Sequence, residues 1–214
     1  MSDSAAFQEV DDAVRQDDLK RWWKRWGSWV VAAAVLVVVA VAAFVGWRQY
    51  DQSKRAEAST AYSAALAKID SDKVAARTEL TRQAETAPAP YSWLAALTVA
   101  QLQDKPADQV TSLEAVAPQL PPELSDLALV MAGFRSVDAG KLDEQVGKLG
   151  ALAQGDRPFH ISVIELQALA AAKKNDLKRA RELWTDIVKD PASPQGAQQR
   201  AQAMLNYYGP GEGK

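Results

Sequence analysis

Residues 19–47 read "LKRWWKRWGSWVVAAAVLVVVAVAAFVGW". Four of the chain's seven tryptophans open this stretch, interleaved with Lys20, Arg21, Lys24 and Arg25. Aromatic rings between basic side chains suit a single-stranded nucleic acid, and they equally suit the headgroup level of a bilayer. The next residues decide. From Trp26 to Trp47 there are 22 residues without a charge, which as a helix reach roughly 33 Å. A hydrocarbon core of about 30 Å requires about 20 such residues. The stretch therefore predicts one membrane-spanning helix over 26–47. Trp22, Trp23, Trp26 and Trp29 stand at its near end and Trp47 and Tyr50 at its far end, as an aromatic belt does at the two interfaces.

A cleaved leader is the competing reading. Its apolar core runs about 7–15 residues and ends in a small-residue cleavage site. Here the apolar run is longer, some twenty-five residues precede it, and Ala40, Ala42 and Ala43 lie inside it. A retained anchor is the expectation. Flanking cations orient such a helix, while acids count little. Arg15, Lys20, Arg21, Lys24 and Arg25 lie on the near side, and Arg48, Lys54 and Arg55 on the far side. This bias predicts a cytoplasmic tail, 1–25, with export of the chain beyond Arg48. Ala42 and Gly46 form a small-x-x-x-small pair suited to close packing of transmembrane helices.

The chain has 214 residues and a net charge of −2. From Arg48 onward, 20 basic residues face 21 acidic ones, so the exported part lacks the basic excess of a nucleic-acid surface. Cysteine is absent, which removes disulfides, thiol nucleophiles and thiolate metal sites. Membrane lipid is expected as a partner and nucleic acid is not.

Beyond the span the residues read as helices. In "RAEASTAYSAALAKI", positions Ala58, Ala61, Tyr62, Ala65, Leu66 and Ile69 recur at helical spacing on one face. The segment 50–69 either continues the transmembrane helix or leans away from it. "VAARTELTRQAET" supplies the next helix, stopped by Pro88 and Pro90, since proline cannot continue a helix interior. A longer period then emerges. Pro90, Pro122, Pro158 and Pro194 stand 32, 36 and 36 residues apart, and turn-like stretches near Asp104, Gly140 and Asn175 stand 36 and 35 apart. Helix–turn–helix units of about 34 residues are the signature of tetratricopeptide (TPR) arrays. Three units fit: 91–120, 124–154 and 160–190. The last, "HISVIELQALAAAKKNDLKRARELWTDIVKD", resembles the repeat pattern best. Ala168 and Ala180 occupy its small positions, Trp184 its bulky one, and Pro191 ends it. Trp93 and Phe134 are the packing aromatics of the looser first two units. "SPQGAQQRAQAMLNYY", 193–208, reads as the capping helix that such arrays require, and 209–214 as a disordered tail. The fold class is therefore all-α, one N-terminal transmembrane helix followed by a TPR-like α-solenoid at 48–208.

No constellation for catalysis, cofactor or metal is legible. His160 is the one histidine and has no second histidine or cysteine to act with; a structural role at a helix start is expected. Phosphate-binding, nucleophile-elbow and zinc-protease motifs are absent from the sequence. The chain is expected not to be an enzyme. Trp93, Phe134, Phe159, Trp184 and Tyr207 are candidates for core, with a peptide-binding groove as the other reading.

"EVDDAVRQDDLKRWWKRWG", the apolar helix, "GWRQYDQSKRAEASTAYSAAL" and the weak helix pairs together resemble the bacterial TPR-like ancillary subunits of the SecYEG translocon. That resemblance implies a single-pass protein of the bacterial inner (plasma) membrane with a periplasmic domain. It further implies association with SecYEG and with a membrane-anchored periplasmic chaperone, as a non-enzymatic adaptor in protein translocation. The alternative is a cell-envelope scaffold that binds division or peptidoglycan machinery through the same helical domain.

Overall fold

The computed structural model describes residues 3–154 and 157–209; among residues 3–19, and at Arg21, it describes the backbone alone. Among the described residues there is helix and no strand. The first helix, α1, runs Asp3–Ala67. The chain divides into two compact units, 1–56 and 57–214, at a point within α1.

The first unit is helical throughout its described length. It contains the one stretch, among the described residues, long and apolar enough to cross a membrane, and none of that apolar window is buried. Trp29, Leu36, Phe44 and Trp47 all stand exposed, Trp29 by 71% and Trp47 by 74%. The reading of 26–47 as helix holds, and 50–67 carries on as the same helix rather than starting a new one.

The second unit comprises the end of α1 and eight further helices among the described residues. They are α2 (Lys73–Thr86), α3 (Tyr91–Gln101), α4 (Pro106–Val116), α5 (Pro122–Ala139), α6 (Leu142–Lys148), α7 (His160–Lys173), α8 (Leu177–Lys189) and α9 (Gln195–Tyr207). Their ends follow from local chemistry. The Asp72 carboxylate accepts from the Ala75 N–H at 2.9 Å to cap α2, and Asp176 does the same for Arg179 N–H at 3.1 Å ahead of α8; each satisfies an amide that the helix leaves unpaired. Pro106 and Pro122 stand at first helical positions, where a missing N–H costs nothing. Gly140, at φ 71°, ends α5 in the left-handed region, which glycine enters without a Cβ clash.

Consecutive helices pack as neighbours, so the apolar stripe of each is covered by the next. Residues 58–67 of α1 pack with α2 and α3. Ala65, Leu80 and Ala95 are buried together under Tyr62 and Val99, and the Tyr62 hydroxyl lies 2.9 Å from Thr98 Oγ1. Leu66 departs from the expected face and is exposed: one residue is a turn of about 100°, which rotates it out of the stripe that Ala65 occupies. A second cluster joins α3, α4 and α5 through Leu97, Val110, Leu113, Ala128 and Ala132. α4 packs more extensively on α5, in the next unit of the repeat reading, than on its own partner α3. A third joins α5, α6 and α7 through Val130, Leu142, Leu149, Val163 and Leu166. There Gly133 permits close approach: a Cβ on it would lie 2.6 Å from Leu166 Cδ1 and 2.8 Å from Leu149 Cδ1. α6 is short, and a 3-10 turn at Gly150–Ala153 completes its arm.

The fourth cluster, from α7, α8 and α9, is built on Trp184. Its indole is 0% exposed and lies among Ala168, Ala180, Leu183 and Ile187. Tyr208 stacks on it at 5.3 Å between ring centroids, 17° from parallel. Ala168 and Ala180 are both fully buried, as expected of small residues at a close helix crossing. α9 covers the open side of α8 through Ala197 and Ala201, which is the work of a capping helix. The expected tail, 209–214, lies outside the described residues except for Gly209.

Trp184→Ala removes a side chain that α7, α8 and α9 share. The substitution is expected to cost about 3–5 kcal/mol, read by urea denaturation of fragment 51–214. A loss below about 1 kcal/mol would show that the neighbouring helices collapse into the space or that the indole contributes little.

Candidate interaction surface

The aromatic residues assigned to the bilayer interfaces all face outward. Trp22, Trp23, Trp26, Trp29, Trp47 and Tyr50 are exposed, and Trp22 and Trp23 sit 6.4 Å apart at a 41° tilt. Trp23 lies against Gly27, where a Cβ would come within 3.1 Å of the indole. At the far end Lys54 Nζ lies 6.0 Å from the Tyr50 ring centre, and Arg55 donates to Asp51 at 2.8 Å. Lys20, Lys24 and Arg25 are exposed; the side chains of Arg15 and Arg21 lie outside the described residues. Ala42 and Gly46, four residues apart on α1, share one side, and the space where Gly46 would carry a Cβ is open to 4 Å.

The packing aromatics divide. Trp184 is core. Phe134 and Phe159 are half-buried against the third cluster, and Trp93 is half-buried on α3. Tyr207, a candidate for core, is 80% exposed, with its ring edge-on to Tyr208 at 5.0 Å. Trp93, Phe134, Phe159, Trp184 and Tyr207 do not form one groove, because Trp184 is sealed and Tyr207 projects outward.

His160 begins α7 as expected. Its Nδ1 lies 2.8 Å from the Arg157 carbonyl oxygen. A carbonyl only accepts, so Nδ1 carries the proton and donates. Nε2 faces the Asp190 carboxylate at 3.8 Å. The ring thus ties the turn before α7 toward the end of α8. Among the described residues no group of three His, Asp or Glu side chains is placed to hold a metal ion.

Two clefts flank α2, and sequence reasoning missed both. The first, of about 410 Å³, is lined by Lys73, Val74, Arg77, Thr78, Thr81 and Asp104. The Lys73 ammonium pairs with Asp104 across it, Arg77 donates to Gln103 at 2.8 Å, and Val74 stands 77% exposed between them. The second, of about 440 Å³, lies between α2 and the end of α1, with Ala61, Ala64, Lys68, Ala75 and Glu79 on its walls. The first cleft is lined mainly by polar and charged side chains, the second by alanines with Lys68, Thr78 and Glu79. No local signal announces the first cleft, since Lys73 and Asp104 stand 31 residues apart.

Two of the contacts that carry charge between helices involve partly or largely buried carboxylates. On α7 the Glu165 side chain is 8% exposed and receives both Nε and a terminal nitrogen of Arg200 from α9, each at 2.7 Å. On α4 Glu114 accepts from Gln145 at 2.8 Å and from Lys148 at 2.6 Å, both on α6. Burial pushes the Glu114 carboxyl up, and the hydrogen bonds from Lys148 and Gln145 outweigh it, leaving the group below its ordinary value. Glu79 is pulled from 4.5 to about 2 by hydrogen bonds from Arg82 and Gln83.

A carboxyl whose pKa is lower in the folded chain binds protons more readily when unfolded. Its contribution is complete above the unfolded value and is lost as pH falls toward the folded one. Stability of fragment 51–214 is expected to decline from about pH 4.5 down to about pH 2 through Glu79, and Glu114 adds to the decline in the same direction. Glu79→Gln should flatten part of that decline in denaturation at stepped pH. An unchanged profile would show that solvent screens the Glu79–Arg82 pair.

Comparison with curated proteins and with solved structures gives no match. A family model described as tetratricopeptide repeat-like domain matches residues 20–205. That range takes in the apolar helix and all four buried clusters, and by it the chain belongs to the tetratricopeptide repeat-like domain family.

Proposed function

We propose that this protein is a membrane-anchored, non-enzymatic adaptor that binds other proteins through its helical array. The observation that carries the reading is the pairing of an uncharged, uncovered apolar helix with a TPR-like array in one chain. Arrays of this family serve as scaffolds for protein–protein contact. Residues 26–47 are the span, 1–25 the cytoplasmic tail and 48–208 the periplasmic domain of a bacterial inner-membrane protein. Five cations before the span against three just after it support that orientation. Anchoring serves weak binding, because confinement to a bilayer raises the effective concentration of partners in the same plane.

The partners proposed are the SecYEG translocon and a membrane-anchored periplasmic chaperone, in the handling of exported proteins. Support comes from the resemblance of the anchor and its flanks to the translocon's TPR-like ancillary subunits. The clefts beside α2 are the favoured docking surface, since Val74 is an exposed apolar residue between charged groups.

Two measurements test the proposal. A reporter active only in the periplasm is expected to be active when fused after Lys214; activity only in the N-terminal fusion would reverse the orientation. Photocrosslinkers at Val74 and Thr81 in cells are expected to trap translocon or chaperone subunits at the α2 cleft. Capture of division or peptidoglycan proteins instead would hand the function to the envelope-scaffold reading.

A further inference from the structure

On α2 the buried residues are Ala76, Leu80 and Gln83. Val74, Thr78 and Thr81 fall within an arc of about 60° on the opposite side, and all three are exposed. Their spacing, four residues and then three, is that of a seam between packed helices. Both threonines act as apolar residues here. The Thr78 hydroxyl donates to the Val74 carbonyl at 3.0 Å and the Thr81 hydroxyl to the Arg77 carbonyl at 2.8 Å, which leaves each γ-methyl for outside contact. α2 thus carries a ridge of methyl groups on the side where a surface helix is ordinarily polar.

The two clefts flank that ridge, and Thr78 is a wall of both. An extended segment fills one groove and leaves the other empty. A helix straddles the ridge, and its own rows of side chains enter the grooves on either side. The grooves differ in chemistry. The one toward α1 is walled by Ala61, Ala64, Ala65 and Ala75, short side chains that leave room for long apolar ones. The other carries Lys73 and Arg77 against one acid, Asp104. Lys73 pairs with Asp104, and Arg77 donates to Gln103 at 2.8 Å, which leaves most of the donors of both cations unspent. The Asp104 side chain is 79% exposed, and so open a pair holds weakly enough to share its cation with a second carboxylate. On the alanine side Glu79 is already engaged by Arg82 and Gln83, so the demand for an acid lies on the Lys73 flank.

We infer that α2 seats an amphipathic helix of a partner protein, with leucine-sized side chains in the alanine-walled groove and Asp or Glu residues beside Lys73 and Arg77. Such a seat rests on the proposed docking at these clefts; it adds the class of segment that docks there.

The test is photocrosslinking in cells from Val74, and separately from Thr81, of the full-length chain, with the trapped peptides sequenced by mass spectrometry. Those peptides are expected to carry apolar residues three and four apart, with acidic residues on one flank. Lys73→Gln with Arg77→Gln should lower the yield about tenfold. Ala64→Trp, which fills the other groove from an exposed position, should lower it comparably, while Lys73→Arg with Arg77→Lys should keep it. Circular dichroism of each purified variant checks that the helices persist. Trapped peptides without that pattern, peptides from a second copy of this chain, a yield that neither substitution lowers, or a loss in the charge-keeping variant would overturn the inference and leave the clefts as a docking surface. An absence of trapped peptide at both positions would remove the clefts as a docking surface, and the inference with them.

Discussion

Helices of this length are marginal alone in water, and from α2 to α9 none exceeds 18 residues. Each persists by laying its apolar side on the helices before and after it. That dependence explains why the clusters are mixed: α5 contributes Ala128 and Ala132 to one and Val130 to the next. It explains the alanine as well, because Ala95, Ala132, Ala168 and Ala180 are all completely buried. At a crossing between helices a methyl group sets how near the axes come. Gly133 takes this furthest, where even a methyl would meet two leucines.

An array built this way has an open end, and the second unit closes its last one with aromatic stacking. Trp184 fills the space between α7 and α8, and Tyr208 covers it from just beyond α9. Arg181 donates to the Tyr208 carbonyl at 2.8 Å, holding that residue as its ring stacks. The Glu165–Arg200 pair ties α9 to α7 in the same region. A buried carboxylate gains from such a pair chiefly because leaving it unpaired would be costly. The many exposed pairs at i,i+3 and i,i+4, such as Arg179 with Glu182, contribute little by comparison.

The first unit obeys the opposite rule. Among the described residues its apolar window has no buried residue, a pattern that lipid satisfies and water does not. Where the second unit sorts apolar from polar around each helix, the first sorts them along it, charge ending at Arg25 and resuming at Arg48.

Much of this was legible in the sequence because it rests on local periodicity. The uncharged run set the helix at 26–47; proline and glycine spacing marked the turns; small and bulky positions in 160–190 identified Ala168, Ala180 and Trp184 as packing residues. Three matters were decided by tertiary structure alone. Leu66 left its expected face, because a stripe is as wide as the neighbours that cover it. Tyr207 stayed outside while the adjacent Tyr208 stacked on Trp184, a difference of one residue's rotation. The cleft between Lys73 and Asp104, and the Glu165–Arg200 and Glu114–Lys148 contacts, join residues more than thirty positions apart. Their meeting depends on how the helices cross, and crossing geometry is set by the summed packing of whole faces rather than by any local stretch of residues.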